Sequence, residues 1–125
     1  MSYKFHGFGL DLNSQIASIV NVTPKEEDDN KPVIIYDLDG TLANDDRRKS
    51  LVTGKDKDYL KYYSLIHQDT PNWPVIEQMT KDHLGGATIG VITGRPDEYL
   101  VQSLRQLYAF QIADMVNFML MRPSH

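Results

Sequence analysis

The chain has 125 residues, a length that suits one domain with a single hydrophobic core. Its formal net charge of −4 argues against a dedicated nucleic-acid-binding surface, which is normally basic. Cysteine is absent, which excludes disulfides and thiolate metal sites. No apolar run approaches the ~18 residues that span a bilayer, and the N-terminus has no signal-peptide pattern, so we expect a cytoplasmic protein without membrane contact.

Residues 1–31 are predicted to form an N-terminal arm and an acidic linker, separate from a domain at residues 32–125. The arm is aromatic and glycine-rich around Phe5 and Phe8, and the stretch from Pro24 to Pro32 is charged and has nothing to bury. Two interpretations remain open for the arm. It is either a disordered tail, as is common at termini, or a segment that docks onto a protein partner or a second copy of the chain.

Three apolar segments are predicted to be strands, at residues 33–38, 87–93 and 115–121. The first is apolar at nearly every position, which is typical of a strand covered on both faces in a parallel sheet. A three-stranded sheet leaves an open edge, where a partner or a second copy would bind.

Helices are predicted between these strands. They are expected at residues 56–67, from Pro74 to Leu84, and from Pro96 to about residue 110, whereas residues 40–54 are predicted to be loop. Strands that alternate with helices predict an α/β fold with parallel crossovers.

The first strand ends in two aspartates, Asp37 and Asp39, followed by Gly40 and Thr41. Ligands of parallel sheets bind beyond the carboxyl ends of the strands, and alternate residues point the same way, so both carboxylates are expected at one site. Hard carboxylate oxygens suit Mg²⁺. A carboxylate can also attack phosphorus, with a second carboxyl transferring the proton.

The second strand ends in Thr93, Gly94 and Arg95, just before a predicted helix. A hydroxyl, free backbone N–H groups and a guanidinium at this position form an anion site suited to phosphate. Because parallel strands end at the same edge of a sheet, we expect this site to lie beside Asp37 and Asp39.

The run from Asp37 to Thr41, together with the Gly90–Thr93 stretch, resembles the first two motifs of the haloacid dehalogenase-like (HAD) hydrolases. The resemblance covers roughly residues 33–123. It implies a HAD-like, Rossmannoid three-layer parallel sheet, truncated after the third core strand. It also implies a Mg²⁺-dependent phosphatase in which Asp37 is the nucleophile and a metal ligand. Asp39 would be the general acid/base and bind the metal through its backbone carbonyl, and Thr93 would hydrogen-bond the phosphoryl group.

The turn at Thr93–Pro96 and the arginines that follow the first motif are similar to the phosphatase domain of phage polynucleotide kinase-phosphatases. That likeness implies contacts to substrate phosphate from Arg95 and from Arg48 or its neighbour Arg47. It further implies a phosphorylated small molecule, a nucleotide or a nucleic-acid end as substrate, and the cytoplasm of a host cell as the location.

Family members continue beyond the position of Arg122 with a lysine and an acidic motif, and the 125 residues here contain neither. Two expectations follow. The first is a Mg²⁺-dependent phosphomonoester hydrolase that acts through an aspartyl-phosphate on a nucleotide or a nucleic-acid terminal phosphate. The second is a catalytically weak or inactive HAD-like domain that serves as a binding or structural component of an assembly.

Overall fold

The computed structural model of the protein describes residues 3–6, 18–26 and 30–124. The described residues form a mixed α/β fold, as predicted, with two β-sheets, four α-helices and three short 3₁₀ helices. The strands are β1 (Tyr3–His6), β2 (Ser18–Asn21), β3 (Val33–Asp37), β4 (Ala43–Asn44), β5 (Thr70–Pro71), β6 (Thr88–Pro96) and β7 (Phe118–Arg122). The α-helices are α1 (Asp46–Lys49), α2 (Tyr59–Ser64), α3 (Trp73–Leu84) and α4 (Leu100–Ala109), and the 3₁₀ helices are Ser50–Val52, Ile66–Gln68 and Asp97–Tyr99.

The main sheet has five strands in the order β1-β3-β6-β7-β2. The first four strands in that order run parallel, and β2 pairs antiparallel with β7. The three predicted strands are therefore present as β3, β6 and β7. Strand β6 runs on to Pro96, past the predicted end of its apolar stretch.

Strand β3 is buried on both faces, which explains why its sequence is apolar without alternation. Ile34 and Tyr36 belong to the main hydrophobic core, whereas Val33 and Ile35 belong to a second cluster on the opposite face. In that second cluster they pack with Ile92 and with partly buried side chains of β7.

Both longer helices pack on the same face of the sheet. Ile76 and Met79 of α3 and Leu107 of α4 lie in one core cluster with Tyr36 and Val91 of the strands. The described members of the cluster on the other face all come from β3, β6 and β7. The described residues of that second cluster include none from a helix, so the third layer of the predicted arrangement is not seen there.

The N-terminal segment differs from its prediction as an arm and linker. Strand β1 pairs with β3 from Tyr3↔Val33 to His6↔Tyr36, and β2 pairs with β7 from Ser18↔Met121 to Asn21↔Phe118. Strands β1 and β2 are thus the two edge strands of the sheet, although both lie before residue 32, the predicted start of the domain. The local hydrophobic pattern did not indicate these two strands. Strand formation depends on the neighbouring strands, and the partners β3 and β7 are distant in sequence. The aromatic position Phe8 lies outside the described residues.

The segment between β3 and α3 was predicted to be loop over residues 40–54, and it contains regular structure instead. The two-residue strands β4 and β5 pair through Ala43↔Pro71 and Asn44↔Thr70, and helix α1 follows β4. A small hydrophobic cluster joins this insert to the 3₁₀ helix after β6, and its members are Tyr62, Tyr63, Ile66, Leu51, Val52 and Tyr99.

Within the described ranges, no helix is long and apolar enough to cross a membrane.

Candidate functional site

The parallel register of β3 and β6 brings the two predicted motifs together. Asp37, the last residue of β3, lies opposite Ile92 of β6. The pairing of β6 with β7 shifts register between Ile92 and Pro96, at the segment that carries Thr93, Gly94 and Arg95. Irregularities of this kind re-aim side chains, and they are frequent beside functional sites. The residues that follow Asp37 therefore meet the irregular end of β6.

A tight turn after β3 holds Asp39 at this edge. Gly40 has φ +78°, a conformation that favours glycine, and its N–H donates to the carbonyl of Ala43 at 2.9 Å. The N–H of Ala43 in turn donates to the carbonyl of Leu38 at 2.9 Å. Asn72, just before α3, donates from Nδ2 to the carbonyl of Thr41 at 2.7 Å, which ties the turn to the insert.

Two buried arginines converge on the carboxylate of Asp39. Arg48 Nη2 lies 2.5 Å from Asp39 Oδ1, and Arg95 Nη2 lies 2.7 Å from the same oxygen. Arg95 Nε is also 3.2 Å from both carboxylate oxygens. Both arginine side chains are 0% exposed, whereas the Asp39 side chain is 18% exposed. Asp39 is therefore the member of this cluster that reaches the surface.

A second buried carboxylate lies behind the arginines. Asp69 accepts from Arg48 Nε and Nη2, each at 2.7 Å, and its side chain is 0% exposed. Arg95 donates from Nη1 to Ser103 Oγ at 3.0 Å and from Nη2 to Gln106 Oε1 at 2.7 Å. Two guanidinium groups and two carboxylates thus form one network that joins the insert, β6 and α4.

The insert holds Arg48 through a tyrosine. The Arg48 guanidinium carbon lies 4.1 Å from the centre of the Tyr62 ring, and Arg48 Nη1 donates to the Tyr62 carbonyl at 3.3 Å. The Tyr62 hydroxyl donates to Asp45 Oδ2 at 2.5 Å. Burial, followed by the negative charge of Asp39, raises the pKa of Tyr62, so the hydroxyl stays protonated as a donor.

The arginines determine the charge state of Asp39. Burial by itself raises the pKa of this carboxyl, but the charges and hydrogen bonds of Arg95 and Arg48 outweigh burial and hold the pKa below its ordinary value. Asp39 is therefore ionised at neutral pH. In this arrangement its oxygens accept hydrogen bonds and do not donate them.

Thr93 lies next to this carboxylate, and Gly94 follows it in the chain. Thr93 is buried, and its hydroxyl lies 3.4 Å from Asp39 Oδ2 while accepting from the N–H of Arg95 at 3.1 Å. Gly94 is partly exposed, and its carbonyl accepts from the Tyr63 hydroxyl at 3.3 Å. A side-chain methyl at Gly94 would meet nothing within 4 Å, so the backbone here borders open space.

Arg48, Thr93 and Arg95 contact Asp39, but the partners of the arginines differ from the sequence-based expectation. Of the two candidate arginines, Arg48 is buried in the network, whereas Arg47 is exposed. Arg48 and Arg95 were predicted to contact substrate phosphate, and in the structure their donors are directed at protein acceptors. The Asp39 carboxylate occupies the position at which both guanidinium groups would bind an anion.

Asp37 is the candidate whose carboxylate lies at the outer end of β3. It is partly buried, and its Oδ1 accepts from the N–H of Leu38 at 2.9 Å. Among residues 3–6, 18–26 and 30–124, no group of three or more His, Cys, Asp or Glu side chains is arranged to hold a metal ion. A cation at this site would therefore take few of its ligands from side chains.

Two cavities border the site. One of about 250 Å³ lies against the turn and is lined by Gly40, Asn44, Asp45, Asp46, Lys49 and Asn72. The other, of about 390 Å³, lies between the 3₁₀ helix Ile66–Gln68 and α4. Asp69 and Gln106 form part of its wall, and Asp39 does not.

Sequence reasoning missed Asp69, Gln106 and Ser103. Asp69 lies in a stretch with ordinary turn chemistry, and the other two lie on a helix whose apolar spacing gave no reason to single them out. One signal was available: Ser103 and Gln106 are three residues apart, so they share a helix face that also carries Leu107. Polar residues that share a face with a buried apolar residue need hydrogen-bond partners if they are buried as well.

Comparison with known proteins adds no identification: no protein-family model matches the chain, and no curated protein or solved structure matches it significantly.

Proposed function

We propose that the chain is a Mg²⁺-dependent phosphomonoester hydrolase of the HAD type, which works through an aspartyl-phosphate on Asp37. The likeness of the Thr93–Pro96 turn and of the arginines after the first motif to phage polynucleotide kinase-phosphatases points to a nucleotide or a nucleic-acid terminal phosphate as substrate. The observation that carries the proposal is the convergence of Thr93, Arg95 and Arg48 on the carboxylate two residues beyond Asp37.

This convergence makes an anion site from segments that are distant in sequence. Two guanidinium groups and a hydroxyl surround one carboxylate, Asp39, which is itself an oxyanion. Guanidinium forks bind carboxylate and phosphate with the same geometry. A single arginine beside Asp39 would be explained by an ordinary structural ion pair. Two arginines and Thr93 at the same carboxylate, two residues from Asp37, favour a site for a phosphoryl group.

The reaction would take place in two steps. An Asp37 oxygen attacks phosphorus, the bond from phosphorus to the ester oxygen breaks, and the leaving oxygen takes a proton. Water then attacks the phosphorus of the aspartyl-phosphate, releases inorganic phosphate and restores the Asp37 carboxylate. Asp39 lies two residues further on, and as a carboxylate it would take the proton from that water.

Substrate phosphate would compete with Asp39 for the two arginines. A phosphate that draws Arg48 and Arg95 away from Asp39 removes the positive charges that lower the pKa of this carboxyl. Asp39 would then gain a proton more readily and could pass it to the leaving oxygen. Once it has given up that proton, Asp39 is a carboxylate again and would take a proton from the water that attacks the aspartyl-phosphate.

The residues present fit a Mg²⁺ ion in a limited way. Both Asp39 carboxylate oxygens are engaged by arginines, so the chain would hold the ion through the Asp37 carboxylate and the Asp39 backbone carbonyl. Mg²⁺ commonly keeps several waters and binds through one or two carboxylates plus substrate phosphate. When bound, it would offset the repulsion between Asp37 and the incoming phosphate.

One observation favours a second candidate function, a domain that binds a partner without turnover. Arg48 and Arg95 are fully buried, and their donors are directed at acceptors of the protein itself. A network so well satisfied is what a purely structural cluster requires. Such a domain would be stable and would release no phosphate.

Release of p-nitrophenol from p-nitrophenyl phosphate distinguishes the two functions. The wild-type chain is assayed with Mg²⁺, Mn²⁺, Co²⁺ or EDTA, beside Asp37→Asn and the control Asp56→Asn. Asp56 is an exposed acid in the insert, so its loss leaves the site intact.

The hydrolase predicts metal-dependent turnover that Asp37→Asn abolishes and Asp56→Asn retains. Turnover that is equal in all three proteins would indicate a contaminant. Silence of the folded wild-type protein in every metal would reject the hydrolase and leave the binding domain.

A further inference from the structure

Asp69 is in contact with both arginines of the site. Its Oδ1 accepts from Arg48 Nε and its Oδ2 from Arg48 Nη2, each at 2.7 Å, which is a two-point fork. The same Oδ2 lies 3.7 Å from Arg95 Nη2. Because a fork fixes the plane of the guanidinium as well as its position, Asp69 sets the direction in which Arg48 Nη2 points at Asp39.

Gln106, on α4, hydrogen-bonds both Arg95 and Asp69. Its Oε1 accepts from Arg95 Nη2 at 2.7 Å, while its Nε2 donates to Asp69 Oδ2 at 2.9 Å and to the Ile66 carbonyl at 3.1 Å. The amide oxygen and the amide nitrogen are both engaged, so the amide has one orientation. Gln106 therefore joins Asp69 to Arg95 and fixes Arg95 relative to Arg48.

The charges explain why this second layer is needed. Arg48, Arg95 and Asp69 are fully buried, and Asp39 is the fourth charged member. With Asp69 present the cluster has two positive and two negative groups, so both arginines can remain buried while Asp39 exchanges them with a ligand. Without Asp69 the two guanidinium groups would share Asp39 alone and repel each other.

We propose that Asp69 and Gln106 are positioning residues that orient Arg48 and Arg95 around Asp39 for the phosphoryl transfer. This inference rests on the proposed function, because the step that it serves is the chemistry at Asp37 and Asp39. Neither residue is a nucleophile or a proton donor in this role. Each acts on Asp39 through an arginine, as supporting residues do behind the ligands of metal sites.

An exchange of the carboxylate and the amide tests this role. Asp69→Asn removes one charge from the network, and Gln106→Glu added to it returns a carboxylate next to Arg95 Nη2. The control is Asp69→Asn with Gln102→Glu, which restores the overall charge from an exposed position on the same helix but outside the network. Each protein is checked for folding by circular dichroism before use.

Two measurements are made on these proteins. The first is kcat and KM for p-nitrophenyl phosphate with Mg²⁺. The second is the ¹H–¹⁵N spectrum of the arginine Nε–H groups, which reports the partners of Arg48 and Arg95 without any need for turnover.

We expect Asp69→Asn to lower kcat by about 10-fold to 100-fold, the range typical of losing a supporting residue. KM should change by less than about 3-fold, since Asp69 makes no contact with substrate in this role. The Nε–H signal of Arg48 should shift. The exchange with Gln106→Glu should recover at least about 10-fold of the lost kcat, and the Gln102→Glu control should recover none.

Wild-type kcat in folded Asp69→Asn, or equal recovery by the Gln102→Glu control, would overturn the inference. If Asp69→Asn does not fold, Gln106→Leu replaces it, and an unchanged Arg95 Nε–H signal there would overturn the inference as well. A wild-type protein without turnover rejects the proposed function alone. In that case an Arg48 Nε–H signal unchanged by Asp69→Asn rejects the orienting role separately, and a shifted one supports it.

Discussion

Arg48 and Arg95 donate to the same oxygen of Asp39, at 2.5 and 2.7 Å, although one lies in the insert after β3 and the other at the end of β6. Asp39 therefore closes the insert onto the sheet and is also the part of the cluster that is open to solvent. If the proposed function is right, stability and ligand binding depend on the same contacts in this site.

Replacing Asp39 with Asn should destabilise the protein. The substitution leaves two buried guanidinium groups with Asp69 as their remaining carboxylate partner. Removing one partner of a buried ion pair is strongly unfavourable, so we expect a loss of about 3 kcal/mol in the free energy of unfolding. Urea denaturation measures it, with the exposed Asp56→Asn as the control. A loss equal to that of the control would show that Asp39 contributes nothing to stability.

The same substitution should alter the acid sensitivity of the fold. Burial raises the pKa of Asp39, but Arg95 and Arg48 hold it below its ordinary value. A carboxyl with a lowered pKa stabilises the folded state fully above the unfolded pKa of about 3.9, and this contribution is lost as pH falls through the folded value. The difference in stability between wild type and Asp39→Asn should therefore shrink below about pH 4. A difference that stays constant down to the acid transition would contradict this.

Alanine substitutions of Arg48 and of its neighbour Arg47 should differ strongly in their effect on stability. Arg48→Ala removes the fork to Asp69, the contact to Asp39 and the packing on the Tyr62 ring. It leaves Asp69 buried without that partner, so we expect a loss of about 3–5 kcal/mol in the free energy of unfolding. Arg47→Ala, at an exposed position, should stay within about 0.5 kcal/mol. Equal losses in the two variants would indicate that the network is not formed in solution.

Gly90 is required by the packing of β7. A methyl group there would meet Phe118 Cζ at 2.3 Å and Cε2 at 2.6 Å, well inside contact distance. The phenyl ring would have to move out of the cluster that it forms with Val33 and Ile35. We expect Gly90→Ala to lose about 1–3 kcal/mol of stability, and Phe118→Leu to restore part of it. A melting temperature of Gly90→Ala equal to that of the wild type would contradict the packing described here.

Unlike Gly90, Gly94 has room for a side chain. An added methyl meets nothing within 4 Å, so Gly94→Ala should leave the melting temperature nearly unchanged. If phosphate approaches the backbone beside Thr93, the same methyl obstructs it, and kcat/KM should fall by about 10-fold or more. Unchanged kcat/KM would place the phosphate elsewhere.

The strands of the sheet's centre could be predicted from sequence because local information defines them. Runs such as Val33–Asp37 are apolar at successive positions, and this pattern indicates a strand buried on both faces. Strands β1 and β2 have no comparable signal. They form because β3 and β7 offer free hydrogen-bonding edges, and that information lies in distant parts of the chain.

The candidate site was predictable from sequence only for the residues at the strand ends. Asp37, Asp39, Thr93 and Arg95 follow apolar strands, and strand ends meet at one edge of a parallel sheet. The partners of the arginines were not predictable. Asp69 reaches Arg48 across the insert, and no local rule pairs these two residues.

Trapping of the covalent intermediate tests the central claim most directly. Wild-type protein turning over p-nitrophenyl phosphate with Mg²⁺ is quenched and reduced with borohydride, which converts an aspartyl-phosphate into homoserine. Mass spectrometry of the peptide that contains residue 37 then identifies the product. The account predicts homoserine at position 37 only when both substrate and Mg²⁺ are present. Turnover without any reducible group at Asp37, or no turnover with any divalent metal, would contradict it.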